Sequence, residues 1–152
     1  VIIRPPLVYG KGVKGNLRTL YKLLSLRCPL PFASITKNKR SFVGIDNLVS
    51  FIEVCLQHPR AANKILSVSD NNDLSTVELL NFLGSAIGRS PFLIPCPVII
   101  LKLFGKYFGF EEKIDRLTGT LQIDMKDTIR LLNWSPPYTV QCGFSKIKND
   151  IT

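Results

Sequence analysis

Gly10, Gly12 and Gly15 follow one another in the spacing Gly-x-Gly-x-x-Gly, and Asn16 comes next as the natural cap of a helix. A glycine-rich loop that runs into a helix can hold an anion. The first backbone N–H groups, here those of Leu17 and Arg18, lack intrahelical partners and lie at the positive end of the helix dipole. As a dinucleotide fingerprint the match is weak, because no acidic residue follows about 20 positions later at a strand end. The glycines read first as an ordinary loop, and Asn16 equally well as a cap alone. The run Lys37-Asn38-Lys39-Arg40 is a second place where positive charge gathers. Other reactive residue types are scarce. Cys28, Cys55, Cys96 and Cys142 are widely spaced and His58 is the single histidine, a poor set for zinc. Buried free thiols in a reducing cytoplasm are expected, with no metal site; His58 reads as a helix-end residue without chemistry.

The balance of 20 Lys+Arg against 11 Asp+Glu gives a net charge of +9, which favours nucleic acid, acidic lipid or a phosphorylated small molecule as partner. A solvated basic surface accounts for the same charge without any partner. At 45% hydrophobic residues the 152-residue chain has ample apolar material to offset its conformational entropy, so disorder is excluded. Residues 91–110 are the most apolar stretch, but Lys102 and Lys106 interrupt them and no span of hydrocarbon is expected. They read as a Pro-flanked, amphipathic, mostly buried helix over 98–108, with a position at a membrane interface as the alternative. The chain opens on Val1-Ile2-Ile3-Arg4 with no signal-peptide pattern, and residues upstream of this first strand are expected to be missing.

Apolar periodicity and turn residues lay out the rest. A buried strand over 1–3 ends at Pro5-Pro6, the glycine loop follows, and a helix runs from Asn16 until Cys28-Pro29 stops it. Residues 30–33 read as a short extended piece and 41–45 as a strand, after which Asp46 caps a helix to about His58. A strand over 64–68 precedes a helix opened by a capping box, Ser75 with Glu78, and closed by Gly88. Glu111-Glu112-Lys113 reads as a charged turn, and Asp124 as the cap of a last clear helix to Leu132, with a final turn or two over 143–148. Strands alternate with helices, so the class is α/β. Only the strands at 1–4 and 64–68 look buried enough for a central sheet, and two strands alone do not make a stable one.

Four elements in order carry a resemblance. Ile3-Arg4-Pro5-Pro6-Leu7-Val8-Tyr9-Gly10 resembles the strand-to-loop segment that follows the catalytic helix of extended short-chain dehydrogenases. Lys39 to Leu48, KRSFVGIDNL, resembles their Arg-x-Phe-(Val/Ile)-x-Val-x-Asp-Leu element. Ser69-Asp70, then Leu74-Ser75-Thr76-Val77-Glu78-Leu79-Leu80, resembles the strand followed by Ser-x-x-Glu-Leu. Arg116 and Leu131-Leu132-Asn133-Trp134-Ser135-Pro136 resemble the closing Arg … Leu-Gly-Trp-x-Pro element. Together they cover essentially the whole chain and identify it as similar to the C-terminal part of the NAD-dependent epimerase/dehydratases, nearest to the UDP-sugar 4-epimerase group.

The resemblance implies the C-terminal portion of an extended Rossmann-type fold: an incomplete sheet with a small mixed α/β substrate-binding lobe over residues 1–152, the N-terminal cofactor-binding part being absent. It implies a nucleotide sugar of the UDP-sugar class as ligand, and NAD held mainly by the missing part. It places Arg40 and Arg116 at diphosphate clamps, Asn16 and Leu17 against the substrate, and Leu30-Pro31-Phe32 where the base lies. It places Pro6 near the nicotinamide. Leu7 falls where the 4-epimerases carry an Asn that holds the substrate, a departure that weakens a strict 4-epimerase assignment. The family's Tyr-x-x-x-Lys pair is absent: Tyr9, Tyr21, Tyr107 and Tyr138 are followed four residues on by Val13, Ser25, Glu111 and Cys142. No catalytic residue is therefore expected in this segment, which would bind and orient while the absent Tyr and Lys move the proton. The whole enzyme is expected to be a cytoplasmic homodimer. A basic, non-enzymatic module for nucleic acid or other anions is the competing class. Against it stand the spread of the basic residues and the lack of a nucleic-acid motif, so no nucleic-acid partner is expected.

Overall fold

The computed structural model describes residues 1–12 and 16–147, arranged as two compact units. The first unit draws on Val1–Lys14, Ser41–Asp73 and Gln122–Thr152, the second on Gly15–Arg40 and Leu74–Leu121.

In the first unit, β1 (Ile2–Arg4) pairs in parallel with β4 (Ile65–Ser67), with Ile2 opposite Ile65 and Arg4 opposite Ser67. These are the two strands expected to form a sheet, but Ile2 and Ile65 are each 57% exposed, so one apolar face of the pair lies open. A second parallel pair joins β2 (Leu7–Tyr9) to β3 (Phe42–Gly44). The chain passes Pro5-Pro6 and resumes as β2, where a loop is expected from the prolines. Proline removes a donor and restricts its predecessor but leaves the residues beyond it free to pair.

The helix α2 (Ile45–Gln57) springs directly from β3 and buries Asn47, Phe51 and Cys55. Its cap is Gly44, not the expected Asp46, which lies inside the first turn and takes an ion pair from Lys146 at 2.6 Å. The helices α6 (Lys126–Leu132) and α7 (Val140–Ser145) complete the unit. Asp124 accepts from the Lys126 N–H at 2.9 Å just ahead of α6, while Met125 is the cap position. The expected final turn is α7, whose cap Thr139 accepts from the Cys142 N–H; residue 148 lies outside those described. Val43, Phe51, Leu66, Val68, Met125, Leu132 and Trp134 form the core, with Phe51 and Trp134 edge to face at 4.9 Å.

Gly143 in α7 lies against the ring of Tyr9, where a Cβ would come within 2.7 Å of Cε2. Tyr9 in turn stacks on Phe144 at 4.2 Å, so the ring cannot yield. Gly143→Ala is expected to lower stability by about 1–3 kcal/mol, the usual cost of overpacking, in a urea titration; an unchanged midpoint would contradict this packing.

In the second unit, α1 (Asn16–Ser25) buries Leu17, Leu20, Tyr21 and Leu24 and packs on α3 (Thr76–Ala86), which contributes Leu79, Leu80 and Leu83. The capping box at the start of α3 is present in both halves: the Ser75 hydroxyl accepts from the Glu78 N–H and the Glu78 carboxylate accepts from the Ser75 N–H. These hydrogen bonds, chiefly that from the Ser75 N–H, hold the Glu78 carboxyl below its ordinary range. The folded state thus binds the proton less readily than the unfolded one. Stability from the box is present above the ordinary glutamate range and is lost as pH falls from there through the lower folded-state value. Ser75→Ala is expected to cost about 1 kcal/mol at neutral pH and less in acid, as urea titrations at both pH values would show. Gly88, at φ 68°, ends the α3 segment as expected.

Three expectations fail in this unit. Residues 30–33 are not an extended piece: only Leu30 forms a bridge, to Leu93, and residues 31–34 turn. Glu111-Glu112-Lys113 opens a helix, α5 (Glu111–Thr118), because paired acids suit a helix N-terminus. The helix α4 (Val98–Tyr107) forms but is not mostly buried: only Leu101 and Gly105 are, where α4 packs on α5. Its remaining apolar residues face outward. No helix among the described residues is long and apolar enough to cross a membrane.

Candidate functional site

Arg40 and Arg116 come together in the second unit. Leu74 and Leu121 flank Arg40 in backbone bridges: Arg40 N–H donates to Leu74 O, Leu74 N–H returns to Arg40 O, each at 2.9 Å, and Leu121 N–H donates to Lys39 O at 2.9 Å. Arg116 lies in the last turn of α5. The end of that helix is tied down by Asn38 and Thr76, which both donate to Leu117 O, at 3.0 and 2.5 Å. The Arg40 guanidinium donates through Nη1 to the carbonyl of Arg116. A shallow cleft of about 490 Å³ opens here, lined by Arg40, Glu112, Asp115, Arg116, Gly119, Thr120 and Leu121.

Its electrostatics are uneven. Arg116 meets Glu112 at 3.4 Å, both well exposed, and Asp115 is taken by Lys102 at 3.0 Å. Arg40 is half-buried, and burial first, then the charge of Arg116, hold its pKa below the usual arginine value. An anion in the cleft would favour the charged form that burial and Arg116 disfavour. Two planar guanidinium groups suit an oxyanion with several acceptor oxygens.

The other residues singled out in the sequence lie as follows. Leu17 and Leu30 are 2% and 4% exposed, so their side chains belong to the core, and the Leu30 backbone is engaged by Phe92 O and by the Ile94 and Phe32 N–H groups. Leu30 bridges to Leu93, and Pro31 and Phe32, both half-buried, turn away behind it as Phe32 N–H donates to Leu30 O at 2.8 Å. Asn16 opens α1, but its side chain and the loop 13–15 before it lie outside the described residues. Pro6 and Leu7, half-buried, belong to the first unit. There Gly10 packs against Ile45, where a Cβ would sit 2.5 Å from Cγ2 at φ 145°, so close packing by itself requires this glycine. Of the cysteines, only Cys55 is fully buried and its thiol is pushed up by that burial; Cys28, Cys96 and Cys142 are half-buried and all four are free.

A polar cluster in the first unit went unread in the sequence. Asp70, 8% exposed, accepts from the Tyr9 hydroxyl at 2.5 Å, the Gly44 N–H at 3.0 Å and the Asn47 amide at 2.8 Å. Burial, then the bond to Asp70, drive the Tyr9 hydroxyl far above its ordinary pKa, so it stays protonated. Asn47 also holds Tyr138 through both backbone groups, at 2.9 Å each. A cleft of about 270 Å³ opens beside Tyr9, Asp46, Asn47, Tyr138 and Lys146. The cluster is saturated by its own members and reads as the brace of β2, β3 and α2. Its only sequence signal is the polar pair Ser69-Asp70 directly after an apolar strand.

No protein-family model matches the chain. The fold recurs in solved epimerases: UDP-N-acetylglucosamine 4-epimerase from Bacillus cereus superposes at a TM-score of 0.71 with 14% identity, over 97% of this chain and 46% of that one. UDP-glucuronic acid 4-epimerase from Bacillus cereus, solved with NAD, superposes at 0.68 with 16% identity, over 97% of this chain and 43% of that one. In fold and in sequence the chain resembles the C-terminal part of the NAD-dependent epimerase/dehydratases of the extended short-chain dehydrogenase type. Among individual proteins it is 51% identical over 146 residues to UDP-glucose 4-epimerase of Vibrio cholerae, covering 96% of this chain and 44% of that protein. It thus spans less than half the length of that curated relative.

Proposed function

We propose that the chain is the substrate-binding part of a nucleotide-sugar epimerase or a related NAD-dependent dehydratase or reductase, and that Arg40 and Arg116 hold the diphosphate of a UDP-sugar. The observation that carries this is that Arg40 and Arg116 line one cleft, where burial and the charge of Arg116 disfavour the charged form of Arg40. The 51% identity to a UDP-glucose 4-epimerase supports the ligand class. Leu30-Pro31-Phe32 offers a flat face for the base, and the start of α1 at Asn16 and Leu17 offers N–H groups to phosphate oxygens. Leu7, apolar where 4-epimerases carry Asn, leaves the choice among epimerisation, dehydration and reduction to the rest of the enzyme.

NAD, when bound, supplies the hydride acceptor and donor. The described residues do not build its site: Gly10 is packed on Ile45, and the Tyr-x-x-x-Lys pair is not in the sequence. Pro6, at the β1–β2 junction, is the residue of this chain set to lie beside the nicotinamide. No proton transfer is assigned to these side chains; they bind and orient. The whole enzyme is set in the cytoplasm as a homodimer. Calorimetry with the full-length protein checks the ligand class: UDP should bind clearly more tightly than UMP, because the clamp acts on the second phosphate. Equal affinities, or binding of nucleic acid in preference to either, would contradict the reading.

A further inference from the structure

The helix α4 carries an apolar face with no cover. Ile99 is 73% exposed, Leu103 63%, Phe104 59%, Tyr107 85% and Phe108 58%. At about 100° per residue Ile99, Leu103, Phe104 and Tyr107 fall on one arc of about 140°, away from the buried Leu101 and Gly105 that seat it on α5, and Phe108 follows as the C-terminal cap. Phe92 and Phe110, ahead of and after the helix in the chain, are also exposed, at 63% and 52%. Large apolar side chains grouped on one exposed helix face mark a binding surface.

Charge and residue type say what covers it. Lys102 and Lys106 border one edge of the arc, and between Glu78 and Glu111 the sequence holds Arg89 and these lysines with no Asp or Glu. Just beyond, Lys113 lies over the Phe110 ring at 5.0 Å, while Glu111, Glu112 and Asp115 sit on α5, Asp115 paired with Lys102. Protein interfaces are depleted in lysine at such positions, whereas a bilayer interface favours aliphatic and aromatic side chains flanked by lysines that reach headgroup phosphates. We infer that α4 is an interfacial anchor that lays Ile99, Leu103, Phe104 and Tyr107 into an anionic membrane surface, with Lys102 and Lys106 at the headgroups. This anchoring is independent of the nucleotide-sugar reading.

The test is sedimentation of the full-length protein with vesicles of phosphatidylglycerol and phosphatidylethanolamine, against vesicles of phosphatidylcholine alone. Binding is expected to the anionic vesicles and to weaken with salt. Lys102→Glu with Lys106→Glu should lower the partition coefficient about tenfold or more. Ile99→Ser with Leu103→Ser and Tyr107→Ser should lower it at least as far, and being at exposed positions should leave the melting temperature unchanged. Failure of the wild type to sediment with anionic vesicles would overturn the inference, as would full binding by the serine variant. A Tyr107→Cys protein that resists maleimide before vesicles are added would show the face covered by protein, and would overturn it too.

Discussion

Replacing Arg40 by alanine in the full-length protein is expected to weaken UDP binding roughly ten- to hundredfold, the range given by losing a charge-assisted hydrogen bond of about 1.5–3 kcal/mol. Arg40 is the stronger half of the clamp because it is half-buried and its backbone is fixed on both sides by Leu74 and Leu121. Its guanidinium loses little freedom on meeting a phosphate. Arg116 is 59% exposed at its side chain and shared with Glu112, so Arg116→Ala is expected to fall at the lower end of that range. Arg40→Lys should recover little, since a lysine is a point charge without the planar fork. Both effects should shrink with added salt, Arg116 more than Arg40. Isothermal titration of the three variants with UDP checks the order. Unchanged affinity in Arg40→Ala would remove the clamp.

Asp70→Ala is expected to cost about 3 kcal/mol or more of stability, among the largest effects of any single change here. It strips the acceptor from the Tyr9 hydroxyl, the Gly44 N–H and the Asn47 amide at once, all at buried positions. Tyr9→Phe alone removes one donor and leaves the carboxylate its other two partners, for about 1 kcal/mol. The double variant should then lose much less than the sum, because the two residues share one network. Urea titrations of the full-length protein give all three values. A loss under 1 kcal/mol for Asp70→Ala would mean that the cluster braces nothing.

The parts legible in the sequence were those written locally. The Ser75–Glu78 box announces α3 within four residues, and the apolar repeat from Leu17 to Leu24 announces α1. The ordered elements from Ile3 to Pro136 announced the fold through resemblance, and Arg40 and Arg116 with it, although 76 positions separate them. What stayed hidden depends on distant partners. Asp70 meets Tyr9 across 61 positions, and neither residue carries a local pattern that points to the other. Leu7 to Tyr9 became a strand because Phe42 to Gly44 stood ready to pair with it, a fact outside the reach of the Pro5-Pro6 signal. The helix α5 was hidden because its opening residues are charged. The helix α4 was placed correctly and its exposure was not: an apolar face is written identically whether it meets a core or a surface.

The measurement that bears most directly on the account is a crystal structure of the full-length protein with a UDP-sugar. Diphosphate oxygens are expected within hydrogen-bond distance of the guanidinium groups of both Arg40 and Arg116, in the cleft bounded by Thr120 and Leu121. A diphosphate seated elsewhere, with both arginines still turned on Arg116 O and Glu112, would contradict it.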